Sequence, residues 1–263
     1  MTVIPRPNVP AGTSFNPELS SLKPLNPMIQ AVFFDLDGTL RHNLPSGGEV
    51  LADYTLQLGL DIGQEDRLRA IRWEHYYWAS SMELKADRQT YSEANLEFWQ
   101  NYCRRQLVAF GASNEQAEEF APKVSKYMED SYRPQSIVPQ DVLQTLSQLQ
   151  EAGYCMAIIS NREKPYQEEI ESLGIAQYFS YTLAGGEVDA WKPEPEIFLH
   201  VCKQLNIIPS QATYVGDNYF ADVVGSRRAG LQPVLYDPHG IFPQADCPVL
   251  SAFDQLPSLL KNI

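Results

Sequence analysis

The stretch AVFFDLDGTL at residues 31–40 joins four apolar residues to two aspartates and a glycine. A short apolar run of this kind predicts a buried strand of a parallel sheet. Residues two apart in an extended chain point the same way, so Asp35 and Asp37 should project together where the strand leaves the sheet. Gly38 provides the backbone freedom for a sharp turn there. Because two carboxylates at a strand's carboxyl end can bind a divalent cation, the stretch also predicts a ligand site.

The 263-residue chain carries a formal net charge of −13, which limits the classes of partner. An acidic chain repels nucleic-acid phosphates, so we expect no nucleic-acid partner. We also expect no membrane association, because no apolar stretch approaches the roughly 20 residues of a membrane span and the amino terminus lacks a signal-peptide pattern. The sequence gives no indication of the oligomeric state. Reduced thiols and a cytoplasmic location are expected because the four cysteines lack metal-binding spacing: Cys103, Cys155, Cys202 and Cys247.

The first part of the chain divides into two regions of different character. Residues 1–27 are rich in proline and show no apolar periodicity, which predicts an irregular segment. Met28 lies just before the first strand, so a translation start at Met1 and one at Met28 are both compatible with the sequence. Residues 41–133 repeat apolar side chains at helical spacing, which predicts helices and no strands. These helices are expected near 49–61, 64–84, 90–110 and 114–132.

From Pro134 onward, apolar runs typical of strands alternate with segments of helical periodicity. This alternation predicts an α/β fold with a Rossmann-like, doubly wound parallel sheet, to which the strand at 31–34 must also belong. The helical residues after that strand then form an insertion. Further strands are expected near 155–159, 179–183, 212–215 and 233–236. Further helices are expected near 140–152, 164–173, 194–205 and 219–229.

Polar residues follow three of the predicted strands at the points where those strands end. In an open α/β sheet, ligands bind outside the carboxyl ends of the strands, so these side chains should meet at one edge. A lysine in a loop before a predicted helix adds a cation to that edge. The set consists of Asp35, Asp37, Ser160, Asn161, Asp217 and Asp222, together with Lys192.

The order of these motifs resembles the haloacid dehalogenase-like hydrolase superfamily. The shared motifs are DxDGTL at 35–40, Ser-Asn at 160–161, Lys-Pro at 192–193 and Gly-Asp-x4-Asp at 216–222. The resemblance covers about residues 30–240, and the stretch KPEPEIF that begins at Lys192 is similar to the phosphatase branch, which includes phosphoglycolate phosphatases. Four motifs in this order are far more specific than any one of them.

The resemblance also implies a division of the chain. A catalytic core would comprise residues 28–41 and 134–263, and residues 42–133 would form an all-helical cap domain over the active site. The two crossings between these parts, near 41–48 and 132–138, contain prolines and glycines, and we expect them to act as hinges.

The resemblance implies a role for each residue of the motifs. Asp35 would be the nucleophile that forms an aspartyl-phosphate, and Asp37 the general acid and base. Mg²⁺ would be held by Asp35, the Asp37 carbonyl and Asp217. Asp222 would orient these metal ligands. The remaining residues would hold the phosphoryl oxygens as charge develops: Ser160, the Asn161 N–H and Lys192.

Several activities remain compatible with these motifs. The first is a magnesium-dependent phosphatase acting on a small phosphorylated metabolite. A sugar phosphomutase and a non-catalytic phosphate-binding or regulatory protein are the alternatives. Asp37 argues against a dehalogenase, because family dehalogenases lack the second aspartate. Arg72, Lys85 and Arg88 could meet a second anionic group of the substrate, although solvated surface charges are the commoner role for such residues.

Overall fold

The computed structural model describes residues 28–263, so the irregular segment expected at residues 1–27 lies outside the described residues. A six-stranded sheet forms its centre, and every neighbouring pair in that sheet is parallel. The strand order β5-β4-β1-β6-β7-β8 places the AVFF strand between two neighbours at the middle of the sheet. The strands are β1 Ala31–Phe34, β4 Cys155–Ser160, β5 Tyr181–Ala184, β6 Ala212–Gly216, β7 Gln232–Tyr236 and β8 Val249–Leu250.

The composition of strand β1 suits its central position, because every one of its residues is apolar and fully buried. Val32 and Phe34 face one side of the sheet and belong to one hydrophobic cluster, whereas Ala31 and Phe33 face the other side and belong to a second. Helices cover both faces, which explains why the strand reads as a continuous apolar run instead of an alternating one. The predicted doubly wound parallel sheet is therefore confirmed.

The helices of the sheet layers follow the predicted alternation. The helix α6 Gln140–Glu151 packs with the C-terminal helix α10 Leu256–Leu260 on the face of Val32 and Phe34. On the other face, α8 Pro195–Leu205 buries its apolar side against the sheet. Two short helices complete this part, α7 Gln167–Ser172 and α9 Val224–Arg228.

The first five helices of the described chain form a separate bundle, here called the helical block, residues 47–131. Its hydrophobic cluster has no member in common with those of the sheet, and it includes the fully buried Tyr77, Phe98 and Leu107. Such a cluster is what a distinct packed unit requires. The helices are α1 Gly47–Gln57, α2 Gln64–Trp78, α3 Met82–Thr90, α4 Leu96–Ala109 and α5 Asn114–Ser131.

The structure corrects the sequence-based assignments at several boundaries. Residues 41–133 are not purely helical, because β2 His42–Leu44 pairs antiparallel with β3 Gln135–Ile137. These strands are too short to carry a periodic signal. The single helix expected at 64–84 is divided in two. Helix α2 ends at Trp78, Ser80 adopts a positive φ, and α3 begins at Met82.

The second half of the chain shows similar local differences. The helix expected at 219–229 opens with a π-helical turn over Tyr219–Val223 before α9 starts. Strand β8 and helix α10 were not predicted. Within residues 28–263, no helix combines the length and the apolar composition needed to cross a bilayer.

Candidate active site

A cavity of about 350 Å³ opens at the carboxyl ends of the central strands. Asp35 directly follows β1, Ser160 ends β4 and Asp217 directly follows β6, so the parallel register brings all three to one edge. All seven residues singled out in the sequence line this cavity: Asp35, Asp37, Ser160, Asn161, Lys192, Asp217 and Asp222.

Lys192 is the most deeply enclosed cation of the site, with only 3% of its side chain exposed. Its ammonium donates hydrogen bonds to Asp35 Oδ1 at 2.5 Å, to Asp222 Oδ1 at 2.7 Å and to the Tyr214 hydroxyl at 3.0 Å. Burial opposes the charged ammonium, but the carboxylates of Asp222 and Asp35 outweigh that effect and raise the pKa of Lys192. Lys192 is therefore a fixed positive charge beside the Asp35 carboxylate.

The backbone of the Lys192 loop is held by a side chain from the neighbouring strand end. Asn161 Nδ2 donates to the Lys192 carbonyl at 2.9 Å, and Asn161 Oδ1 accepts from the Lys192 N–H at 2.7 Å. This pair of hydrogen bonds fixes the loop against β4. The Asn161 side chain thus positions Lys192, a task that the sequence alone did not indicate.

Three carboxylates of the site lie close enough together to share a metal ion. Asp35, Asp217 and Asp222 each offer an oxygen, and these oxygens lie within 4.8 Å of one another. Burial is the main cause that raises the pKa of Asp35 to about 7, and burial with the nearby Asp35 and Asp222 charges raises the pKa of Asp217. Carboxylate oxygens suit Mg²⁺, and a bound cation would relieve this repulsion, so the donor set fits the metal.

The two glycines beside these carboxylates leave no room for a side chain. Gly38 has a φ of +88°, and a Cβ on it would overlap the Asp217 carboxylate. A Cβ on Gly216 would overlap the Asp222 side chain. Thr39 completes the packing, because its hydroxyl donates to Asp217 Oδ1 and accepts from the Asp217 N–H, both at 3.0 Å.

Asp37 lies at the cavity edge in a network of arginines. Arg162 donates two hydrogen bonds to the Asp37 carboxylate, both at 2.8 Å, and Arg41 donates a third at 2.6 Å. Both arginines also contact Glu169. Burial works against ionisation of Asp37, but the two arginines more than compensate and lower its pKa. The arginines directly follow two of the motifs, and this position is a signal that the sequence analysis did not use.

The helical block contributes the opposite wall of the cavity. Glu74, His75 and Trp78, all on α2, line it together with the strand-end residues. Hydrogen bonds tie α2 and the turn after it to the core. Asn218 Nδ2 donates to the His75 carbonyl at 2.8 Å, and the Ser80 hydroxyl donates to the Lys192 carbonyl at 3.2 Å. From the sequence, the aromatic residues of α2 are expected mainly in helix packing, with one face that could line a pocket, and Trp78 does line this cavity.

The three cations considered for a second anionic group lie elsewhere. Arg72 donates to the Ile241 carbonyl at 2.6 Å, Lys85 lies 3.7 Å from Glu194 at the surface, and Arg88 pairs with Glu93. None of the three is among the residues that line the cavity.

Known proteins that are similar in sequence to this chain belong to the family that the four motifs resemble. The family model of the haloacid dehalogenase-like hydrolases matches residues 29–230. A ribulose-1,5-bisphosphate 5-phosphatase of Halopiger xanaduensis is 30% identical over 218 residues, which cover 80% of this chain and 86% of that protein. A phosphoserine phosphatase of Thermus thermophilus is 29% identical, with coverage of 82% and 91%.

A solved structure supports the fold. The crystal structure of a predicted phosphoglycolate phosphatase from Haemophilus somnus 129pt superposes with a TM-score of 0.55 at 20% identity. The match covers 88% of this chain and 98% of that one. The similarity therefore extends over the sheet and the inserted helices together.

Proposed function

The chain belongs to the haloacid dehalogenase-like hydrolase family, and we propose that it is a magnesium-dependent phosphatase acting on a small phosphorylated metabolite. One observation carries the proposal. The Asp35 carboxylate lies at the end of the central strand, in contact with the buried ammonium of Lys192 and beside two further carboxylates. A nucleophile, a fixed cation and a set of metal ligands are thus concentrated at one point of a cavity.

Asp35 is the nucleophile in this proposal. A carboxylate oxygen of Asp35 attacks phosphorus, the bond from phosphorus to the alcohol oxygen breaks, and an aspartyl-phosphate forms. A water oxygen then attacks the same phosphorus, which releases inorganic phosphate and restores the carboxylate. Lys192, the Ser160 hydroxyl and the Asn161 N–H would hold phosphoryl oxygens as negative charge develops on them, and all three residues line the cavity.

Asp37 is the proposed general acid and base. It donates a proton to the departing alcohol oxygen, and its carboxylate afterwards accepts a proton from the attacking water. Arg41 and Arg162 hold the carboxyl group at the cavity edge and favour its ionised form, which is the form that acts as the base. The arginines are therefore positioning residues in this scheme.

Asp35, Asp217 and the Asp37 carbonyl would hold Mg²⁺, with Asp222 orienting the ligands from beside Lys192. A Mg²⁺ ion held by these residues would supply charge neutralisation for the phosphoryl group beside the Asp35 nucleophile. Hydrogen-bond donation from Thr39 keeps Asp217 in place for this role.

The proposal extends to the organisation of the chain. Residues 28–41 and 134–263 form the catalytic core, and residues 42–133 form a cap that contributes Glu74, His75 and Trp78 to the cavity wall. The two crossings serve as hinges, and β2 and β3 pair them into one ribbon, so both crossings would move together.

Phosphate release from a panel of phosphorylated metabolites tests this function. We expect release that requires Mg²⁺ and that falls by on the order of 10⁴-fold or more in Asp35→Asn, because the nucleophile is lost. Asp61→Asn changes an exposed aspartate of the helical block and serves as the matched control. Full activity of Asp35→Asn would contradict the proposal, and phosphate found on another sugar oxygen instead of in solution would indicate a mutase.

A further inference from the structure

A second cavity of about 520 Å³ is lined mainly by residues of the helical block. Glu74 and Trp78 line this cavity and also line the active-site cavity, so the two meet at these side chains. A volume of this size accommodates a small metabolite. The second cavity therefore leads from the active-site cavity into the helical block.

One wall of the second cavity is aromatic. The ring centroids of Trp78 and Trp99 lie 6.2 Å apart, and Tyr102 lies 5.5 Å from Trp78 and 5.9 Å from Trp99. Trp99 remains 41% exposed although it is a large aromatic side chain. Aromatic faces of this kind bind the C–H surface of a sugar or amino alcohol, and they also attract cations.

Three residues that line the cavity each carry a buried side-chain atom without a hydrogen-bond partner. Gln106 and Ser125 are each only 2% exposed, and neither Gln106 Oε1 nor Ser125 Oγ has a hydrogen-bond partner. Asn43 Oδ1 is likewise buried and unpaired. Buried polar atoms in folded proteins are almost always satisfied. Two unpaired amide oxygens, which only accept, and one hydroxyl, which can donate or accept, therefore favour a ligand that brings hydrogen-bond donors to this cavity.

The charge of the lining restricts the ligand further. Glu74 contributes a carboxylate, whose Oε1 accepts from the Tyr102 hydroxyl at 3.0 Å, and Glu129 lies at the surface end. Across the described part of the chain, no lysine, arginine or histidine lines this cavity. A negatively charged group would lie beside carboxylates without a counter-charge, which is costly in a partly buried site.

We propose that the alcohol portion of the substrate occupies this second cavity, donates hydrogen bonds to its acceptors and carries no negative charge. This inference rests on the proposed phosphatase function and adds the substrate class. Hydroxyl groups on a neutral polyol and an ammonium group on an amino alcohol share this chemistry. Monoesters with a carboxylate or a second phosphate in the alcohol portion are the class that the cavity rejects.

Three esters of nearly equal size separate these possibilities: glucose 6-phosphate, glucosamine 6-phosphate and 6-phosphogluconate. They carry a neutral, a cationic and an anionic alcohol portion. We expect kcat/KM for the anionic ester to be at least about tenfold below that of the better of the other two. The order of the neutral and cationic esters identifies whether hydroxyl or ammonium donors are preferred. Equal or faster hydrolysis of 6-phosphogluconate would overturn the inference and leave the phosphatase function intact.

Two variants connect the preference to the cavity. In Glu74→Gln the discrimination against 6-phosphogluconate should shrink several-fold, because the carboxylate that repels it is gone. In Ser125→Ala, KM for the preferred ester should rise about two- to tenfold with kcat little changed, because one unpaired group that binds the ligand is removed. Glu65→Gln, at an exposed position of the same helix, is the matched control. Unchanged discrimination in Glu74→Gln together with an unchanged KM in Ser125→Ala would contradict the assignment of the cavity.

Binding of the same three esters to Asp35→Asn, measured by titration calorimetry, distinguishes failure of the substrate class from failure of the function. If the wild-type protein hydrolyses none of them but the variant binds them in the predicted order, the substrate class stands and the phosphatase function falls. If hydrolysis occurs without the predicted order, the reverse holds. Neither binding nor hydrolysis of any ester would overturn both.

Discussion

The α/β core and the helical block differ in whether the buried polar groups around their cavities have hydrogen-bond partners. At the core edge, Lys192 satisfies two carboxylates and a hydroxyl at once, and Asn161 fixes its loop. In the helical block, Gln106 and Ser125 keep buried polar atoms without partners around a cavity. Under the proposed function, the core residues are arranged for the reaction before substrate binds, whereas a ligand would complete the lining of the block. The proposal thus assigns chemistry to the core and recognition to the block.

The largest effect on stability should follow from removing the central cation of the core. Lys192→Met leaves the buried Asp35 and Asp222 carboxylates without their partner, so we expect unfolding free energy to fall by about 3–5 kcal/mol. Turnover should fall by about 10²–10³-fold, because the charge that stabilises the phosphoryl oxygens is lost. Thermal denaturation followed by circular dichroism and a phosphate-release assay measure the two effects.

A matched change tests whether that effect belongs to the site. Lys203→Met alters an exposed lysine of α8 and should leave both stability and turnover close to wild type. Equal losses in the two variants would show that the paired network of the core is not the source of the effect.

An intermediate effect should come from the metal. Mg²⁺ that binds the folded core but not the unfolded chain should raise the melting temperature. At a Mg²⁺ concentration a hundredfold above the Kd, the unfolding free energy should gain about 2.7 kcal/mol. Asp217→Asn should remove most of this gain, since it takes away one of three clustered carboxylates. The control Asp61→Asn, in the helical block, should keep it. A gain that survives in Asp217→Asn would place the metal elsewhere and weaken the contrast between the two regions.

The smallest effect concerns Glu74 in the helical block. Burial raises its pKa, and the hydrogen bond from Tyr102 only partly opposes this. The folded protein thus binds more protons than the unfolded chain at pH values between the ordinary glutamate pKa and the raised one. Wild-type stability should therefore fall as pH rises through that window. Glu74→Gln lacks this loss, so its melting temperature relative to wild type should increase from acidic to neutral pH.

A control variant accompanies the measurement of melting temperature against pH. Glu65→Gln removes an exposed carboxyl from the same helix, and its difference from wild type should stay small across the series. If the Glu74→Gln difference instead decreased with rising pH, the folded protein would stabilise Glu74 as a carboxylate, and the raised pKa of Glu74 would be wrong.

Much of the core could be predicted because its signals are local. The run AVFF identified the central strand, since a strand covered on both faces must be apolar throughout. The positions of Asp35, Ser160 and Asp217 at strand ends followed from the parallel sheet alone. By contrast, β2 and β3 have three residues each, too few for periodicity, and they pair across more than ninety residues.

The sequence by itself determined the doubly wound sheet, the inserted helices and the residues gathered at the sheet edge, because apolar periodicity and motif order record them directly. Only the tertiary structure decided which atoms those residues contact. Asp37 pairs with Arg41 and Arg162, Lys192 joins Asp35 to Asp222, and Glu74 lies between two cavities. Such contacts depend on how separate elements pack against one another. Side-chain direction, burial and the absence of a partner are properties of that packing, and no local pattern along the chain encodes them.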